Sequence, residues 1–359
     1  MNKLFVRKKK DEKISGRITD ATVEEHREKI LAKGRKFKYP LQYSKHRALI
    51  NTAIIGAVAA VLFCIVAWLD LYVWRDTGDV AYGLTRILPV PVASIDGENV
   101  RFSDYLMIFR SSVTSIERQQ GSLDQTEEET GVVGGDVVRR QYMRQALTDA
   151  QRYAYALKLA RELEIKVTQA EMAEMTKVHR TVGGVEKSED TYEKILRDNF
   201  GLSVSEYERL LTLVLTRRKV EERIDERALN LMNETVGMLA ENGGNMEATA
   251  REGVNYEVSG GLVDGDNLDG GRTKMARSLE VGQLSEKFVS QNGDGYYIVK
   301  LTEKKDTQVA YESVFVRFTE FERRIGEMRG TCETDDSKVI EFIDVGGLDG
   351  TRDPCYIFS

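Results

Sequence analysis

The sequence predicts an α+β protein with a single N-terminal transmembrane helix, a mostly α-helical domain, and then a small α+β domain. Three observations predict it. Ala48–Leu69 is a run of 22 residues without a charge. Residues 136–164 carry Met143, Leu147, Ala150, Ala154 and Leu157 at 4, 3, 4, 3 spacing, and two helix-capping signatures follow. Beyond residue 225 the composition turns to glycine-rich loops and β-prone runs.

The chain has 359 residues and a net charge of -6, which conceals a division. Residues 1–47 hold 15 Lys+Arg against six Asp+Glu, a local +9, so the remainder carries -15. Between them the uncharged run spans about 33 Å as a helix, against a hydrocarbon core of about 30 Å. Lys33, Arg35, Lys36, Lys38, Lys45 and Arg47 precede it; Asp70, Arg75, Asp76 and Asp79 follow. The positive-inside rule therefore makes residues 1–47 a cytoplasmic basic segment, 48–74 a transmembrane anchor, and the rest extracytoplasmic. Tyr39, Tyr43, Trp68, Tyr72 and Trp74 suit interfacial belts. A cleaved signal peptide has an apolar stretch of about 7–15 residues behind a short basic segment, and this run is longer and lies behind 47 residues. The basic segment, with a short helix over Val23–Ala32, matches an anionic lipid surface. No nucleic-acid partner is expected.

Residues 75–88 read as a linker. Pro91–Phe102 reads as a hairpin turning at Asp96-Gly97. Ser103 is placed to cap a helix over Asp104–Gln120, and the polar stretch from Gly121 to Gly135 reads as a mobile loop. Thr168 with Glu171, and Ser203 with Glu206, are S/T-x-x-E capping boxes. A helix near Asp190–Asn199 lies between them. The helix opened by Ser203 is expected to run on, as far as Asn242, before Gly243-Gly244. This assigns a helical domain to 89–225.

Residues 226–320 read as the α+β domain, with short helices around Met246–Arg251 and Lys274–Leu279. Its β-prone runs are 296–301 and 309–318. Gly260-Gly261 and Gly270-Gly271 lack phosphate-loop spacing and read as turns. Residues 321–359 read as a C-terminal tail containing one strand (KVIEFIDV) between Cys332 and Cys355. Those two cysteines either pair, closing a loop worth roughly 3–4 kcal/mol, or remain free thiols.

The segment ILPVPVASIDGENVRFSDYL, followed by KVTQAEM and NFGLSVSEYERLL, resembles the helical N-terminal domain of SurA/PpiD-like extracytoplasmic chaperones. GGNMEATARE, SGGLVDG, the spacing of Ala276, Leu279, Gly282 and Ser285, and GDGYYIVKL resemble a parvulin-type (PpiC) peptidyl-prolyl isomerase domain. Together these cover roughly 88–318, and a single-pass anchor is also the architecture of PpiD-like members. The resemblance implies a bacterial plasma-membrane foldase that binds unfolded or newly translocated polypeptides.

The departures bear on activity. Active parvulins have a His pair on neighbouring central strands and an apolar slot for proline. Here Tyr297 stands at the His position, and residues 180–359 contain no His. Arg272–Arg277 puts cations where the prolyl ring packs. Leu268, Met275 and Tyr296 are the candidates for what remains of a substrate-binding pocket. Lowering the roughly 18–20 kcal/mol rotational barrier requires tighter binding of the twisted amide than of the planar one, so loss of the slot matters more than loss of the His pair. A chaperone with little or no isomerase activity is therefore expected. The alternatives are an active isomerase with an altered site and a scaffold of an envelope or secretion complex.

Other chemistry finds little support. Ser259 and Ser285 lack a His outside the membrane other than His179, whose helical context points it to solvent. Acidic runs such as Glu127-Glu128-Glu129 read as solvated loops, and in the run from Asp264 to Gly270 an EF-hand Glu is replaced by Met275. No cofactor and no metal is expected.

Overall fold

A computed structural model describes residues 20–121, 135–346 and 355–356, apart from positions 183, 266, 268, 333 and 335. It divides into two compact units, residues 1–69 and 70–359. The expected loop between Gly121 and Gly135 lies outside the described residues, as does Leu268.

The described residues of the first unit form the helix α1 (Asp20–Trp68), in which the expected short helix at Val23–Ala32 is simply the opening. Its apolar part is exposed: Leu49, Ile54, Ile55, Val58, Leu62 and Phe63 each keep more than half of their surface accessible. A helix from Arg47 to Val73 is long and apolar enough to cross a membrane.

A π-helical turn, Leu69–Val73, carries the chain into the second unit; its Leu71 is buried and its Tyr72 stacks edge-on against Phe102. The expected linker contains a helix, α2 (Asp79–Ile87), because Ala81 and Thr85 bury against the next helix. Strands β1 (Pro91–Ile95) and β2 (Glu98–Arg101) form the hairpin, and Asp96 and Gly97 both have positive φ, as a type I′ turn requires. Helix α3 (Phe102–Gln120) starts directly from β2 with Arg101 at its N-cap, so Ser103 lies inside the first turn and does not cap it. Phe102, Tyr105, Leu106 and Phe109 recur at 3–4 spacing and bury against Leu147, Ala150 and Ala154 of α4 (Gly135–Glu162). At roughly 1.5–3 kcal/mol per large apolar side chain, this is the main hydrophobic core.

The two capping boxes form as read from the sequence. Thr168 opens α5 (Gln169–Arg180), and Ser203 opens α7 (Val204–Ile224), each with reciprocal Glu contacts. Between them are a short hairpin, β3 (Thr181–Val182) and β4 (Val185–Glu186), and α6 (Glu189–Phe200), ended by Gly201 in the left-handed region. The expected single helix to Asn242 is broken at Asp225, and α8 (Glu226–Glu241) follows. Asp225 is almost fully buried, and its carboxylate accepts from Ala228 N at 2.9 Å and from Thr319 N and Glu320 N at 2.6 and 3.0 Å. One side chain thus satisfies orphan amides of two helices, which outweighs a continuous α7–α8.

The sheet half contains β5 (Asn255–Val258), β6 (Val263–Asp264), α9 (Arg272–Arg277), β7 (Phe288–Val289), β8 (Gly295–Lys305) and β9 (Gln308–Arg317). The strands are ordered β5-β9-β8-β7, all antiparallel, with β6 on the far end of β9. Helix α8 packs on the face carrying Tyr296, Ile298, Val314 and Val316, and α9 on the face carrying Val299, Leu301 and Tyr311.

The described residues of 321–359, a stretch expected as a tail, return to the helical half. In α10 (Glu320–Arg329), Phe321, Ile325 and Met328 enter the core of α3 and α4. Strand β10 (Val339–Glu341) pairs antiparallel with β1, matching Ala93 with Glu341. Glu341 is fully buried and accepts from Arg144 and Gln151, both at 2.8 Å, while Arg329 contacts it at 3.5 Å. Cys332 and Cys355 form a disulfide with Cα atoms 4.6 Å apart, and Glu341 N donates to Cys355 O at 2.8 Å.

Candidate functional site

Two places in the second unit offer side chains for recognition, and they are built in opposite ways. The first is the sheet face around Tyr297. Alternation along β8 sends Tyr297 and Tyr296 to opposite faces. Tyr297 stacks on Phe315 of β9, with ring centroids 4.4 Å apart and planes 14° from parallel, and on Phe288 of β7 at 6.1 Å. Tyr296 instead meets Phe318 edge-on at 4.9 Å, on the side covered by α8. The structure therefore does not bring Tyr296 to Tyr297. Met275 shares the Tyr297 face but packs with the cluster of Ala276, Leu279, Val299 and Tyr311.

The Arg272 guanidinium lies 5.2 Å from the Tyr297 ring centre, a cation–π distance, and its Nη1 donates to Glu257 at 2.6 Å. Asp269 accepts from Thr273 N at 3.0 Å and from the Tyr311 hydroxyl, which tie the loop before α9 to β9. Burial, with Asp269 beside it, pushes the Tyr311 hydroxyl up to about 12, and burial likewise raises Tyr297. Both hydroxyls are neutral hydrogen-bonding groups near neutrality rather than proton-transfer groups. Gly295 allows the strands to close here: a Cβ at that position would lie 2.2 Å from Val316 O and 2.5 Å from the Phe315 ring. The face is an aromatic stack capped by the protein's own arginine.

The second place is a cleft of about 690 Å³ between α5 and α7, beside the β3–β4 hairpin. Val167, Met172, Ala173, Thr176 and Thr212 supply a mostly apolar floor; Lys177, Arg180, Glu186 and Glu208 ring it with both signs of charge. No residue of α5 is fully buried; Met172 and Met175 are half-buried against the cluster of Tyr192, Leu196, Tyr207 and Leu211. Lys219 Nζ donates to Glu171 and to Lys166 O, both at 2.7 Å, and the bond from Lys219 pulls the Glu171 carboxyl down to about 2. His179 is exposed, but its Nδ1 lies 2.5 Å from the buried Tyr207 hydroxyl, and desolvation of the ring lowers its pKa. The cleft was not read from the sequence. Its signal is Met172 beside Ala173, a soft apolar patch on a helix otherwise rich in charge.

Among the described residues no cluster of His, Cys, Asp or Glu has the arrangement of a metal site. The arrangement supports non-covalent capture: an adaptable thioether floor with a charged rim at the cleft, and a closed aromatic face on the sheet.

Residues 42–221, half of the chain, match the family described as SurA-like N-terminal domain. The chain belongs to that family. The match runs from within α1, through the apolar helix, to the last turn of α7. The α5–α7 cleft thus lies inside the SurA-like domain, and the sheet half lies beyond it. The SurA-like domain marks a chaperone-type family, so its cleft carries more functional weight than the sheet face. No curated protein and no solved structure matches the chain.

Proposed function

We propose that this protein is a membrane-anchored extracytoplasmic chaperone that binds unfolded or newly translocated polypeptides, with a degenerate parvulin-like domain that contributes little or no isomerisation. The observation that carries the reading is the SurA-like match, which contains both the apolar helix and the open α5–α7 cleft. The basic flank of 1–47 supports a cytoplasmic N-terminus and the acidic remainder an outer location, with the bilayer holding residues 48–74. The parvulin resemblance supports membership of the foldase group, and the Arg272–Tyr297 stack argues against turnover. A prolyl ring would have to displace a guanidinium that is already bonded to Glu257.

A extended client strand in the cleft has the Met172–Thr212 floor for apolar side chains and charges on both walls for its backbone and polar groups. The full chain in vesicles is expected to suppress aggregation of a denatured substrate protein, and Met172→Glu with Ala173→Glu to abolish most of that suppression. Suppression unchanged by the double substitution would remove the cleft from the account. A proline-peptide exchange assay tests the competing enzyme reading: acceleration abolished by Tyr297→Ala would establish an active isomerase instead.

A further inference from the structure

Helix α2 is a surface helix with an unpartnered aliphatic face. Ala81 and Thr85 bury against α3, and Asp79, Tyr82 and Arg86 lie along one flank of that buried side. Asp79 pairs with Arg110 of α3; Arg86 Nη1 reaches Glu206 at 3.1 Å; the Tyr82 hydroxyl donates to the same carboxylate at 2.8 Å. Arg110 also lies over the Tyr82 ring at 5.0 Å. With the polar side engaged, the outer side presents Val80 and Ile87, each 81% exposed, with the half-buried Leu84 and the exposed Gly83 between them. Trp74 at 64%, Val73 at 47% and Leu88 at 41% extend the apolar surface at both ends. Scattered exposed apolar residues are ordinary. A nine-residue helix that ties its charges to neighbouring elements along one flank and turns a contiguous aliphatic face outward is not.

The position of this helix in the chain names what covers it. The apolar helix ends at Val73 and α2 begins at Asp79, so at full extension the start of α2 lies within about 20 Å of the end of the apolar helix. The connection is shorter than that, because Asp76 N donates to Asp70 O at 3.0 Å and Gly78 N to Asp76 Oδ1 at 3.0 Å. We propose that the outer face of α2, with Trp74, lies in the interface of the outer leaflet and binds the lipid surface, holding the chaperone body against the membrane. This rests on the reading of residues 48–74 as a membrane anchor. An interfacial helix of this kind buries its apolar side about 5–10 Å into the head-group boundary, a depth at which tryptophan is favoured. The consequence is a body restrained at a second point, not swinging freely on a single-span tether.

The protein has only two tryptophans, Trp68 and Trp74, which makes the test direct. The full chain carrying Trp68→Phe, Trp74→Phe and Ile87→Trp is reconstituted in phosphatidylcholine vesicles, with and without lipid brominated near the head-group end of its acyl chains. The interfacial helix predicts a roughly twofold or greater loss of emission with brominated lipid, and less than about a tenth when the reporter is Lys305→Trp on the exposed β8–β9 turn. Emission at Ile87→Trp as accessible to aqueous acrylamide as that at Lys305→Trp, with no lipid quenching, would overturn the inference. Flotation after an alkaline wash reads the anchor separately: a chain that floats but is unquenched at position 87 loses only the inference, whereas one that does not float loses the anchor and the inference together. In a Trp68→Phe background, Val80→Glu with Ile87→Glu should leave the circular dichroism unchanged, because both side chains are exposed, and should reduce lipid quenching of Trp74. Quenching of Trp74 that persists in that variant would also overturn the proposal.

Discussion

The helical half and the sheet half of the second unit treat their exposed recognition surfaces differently. Among the described residues the α5–α7 cleft is open, with Met172, Thr176 and Thr212 on its floor. The Tyr297 face is closed from within by Phe288, Phe315 and Arg272. The contrast teaches that one surface is filled by the protein's own side chains, while the SurA-like helical domain carries an open cleft.

The largest test of that division is at the buried ionic network that joins β10 to α4. Glu341→Ala leaves Arg144 partly buried without its carboxylate and removes the side-chain link from β10 to α4. A loss of about 3–5 kcal/mol in denaturant unfolding of the full chain is expected. A loss below about 1 kcal/mol would mean that residues 321–359 are peripheral to the helical half after all.

Glu221 on α7 comes next. Burial raises its carboxyl to about 7 despite Arg217 at 3.3 Å, with Arg152, Glu322 and Asp294 nearby. A raised folded pKa means that its contribution to stability is fully present below its ordinary 4.5 and is lost as pH rises through about 7. Glu221→Gln should therefore remove a stability gain on the order of 2–3 kcal/mol that the native protein shows between pH 7 and 4.5. Identical pH profiles for the two proteins would contradict this.

Asp225→Ala removes the cap shared by α8 and α10, the joint between the two halves, and should cost about 2 kcal/mol. The loss should appear in both halves by hydrogen exchange; confinement to one half would refute a shared joint. The smallest effect is expected at the closed face. Arg272→Ala removes a partly exposed ion pair with Glu257 and a ring contact, costing about 1 kcal/mol, and should leave client binding unchanged. A gain of isomerase activity in that variant would show that the face is latched rather than lost.

The features legible in the sequence were those whose causes are local. The capping boxes at Thr168 and Ser203 and the turn at Asp96-Gly97 form because each satisfies its own neighbouring backbone. The strands at 296–301 and 309–318 follow from β-branched and aromatic runs; the first extends to Gly295–Lys305 because hairpin pairing carries it on, and the second forms over Gln308–Arg317. What escaped the sequence depends on partners far along the chain. Glu341 finds Ala93 and Arg144 across about two hundred residues or more, and Asp225 breaks a helix because Thr319 and Glu320 need its second oxygen. At the candidate site, Tyr297 was identified by position, but only strand alternation reveals that Tyr296 faces away from it. The cleft was invisible because it is defined by what α5 fails to bury.

The most direct test of the account places a photoreactive side chain at Thr176 in the cleft or at Phe288 on the sheet face, in the full chain in native membranes. The account predicts many different exported polypeptides crosslinked at Thr176 and almost none at Phe288. Client crosslinks concentrated at Phe288, with Thr176 silent, would contradict it.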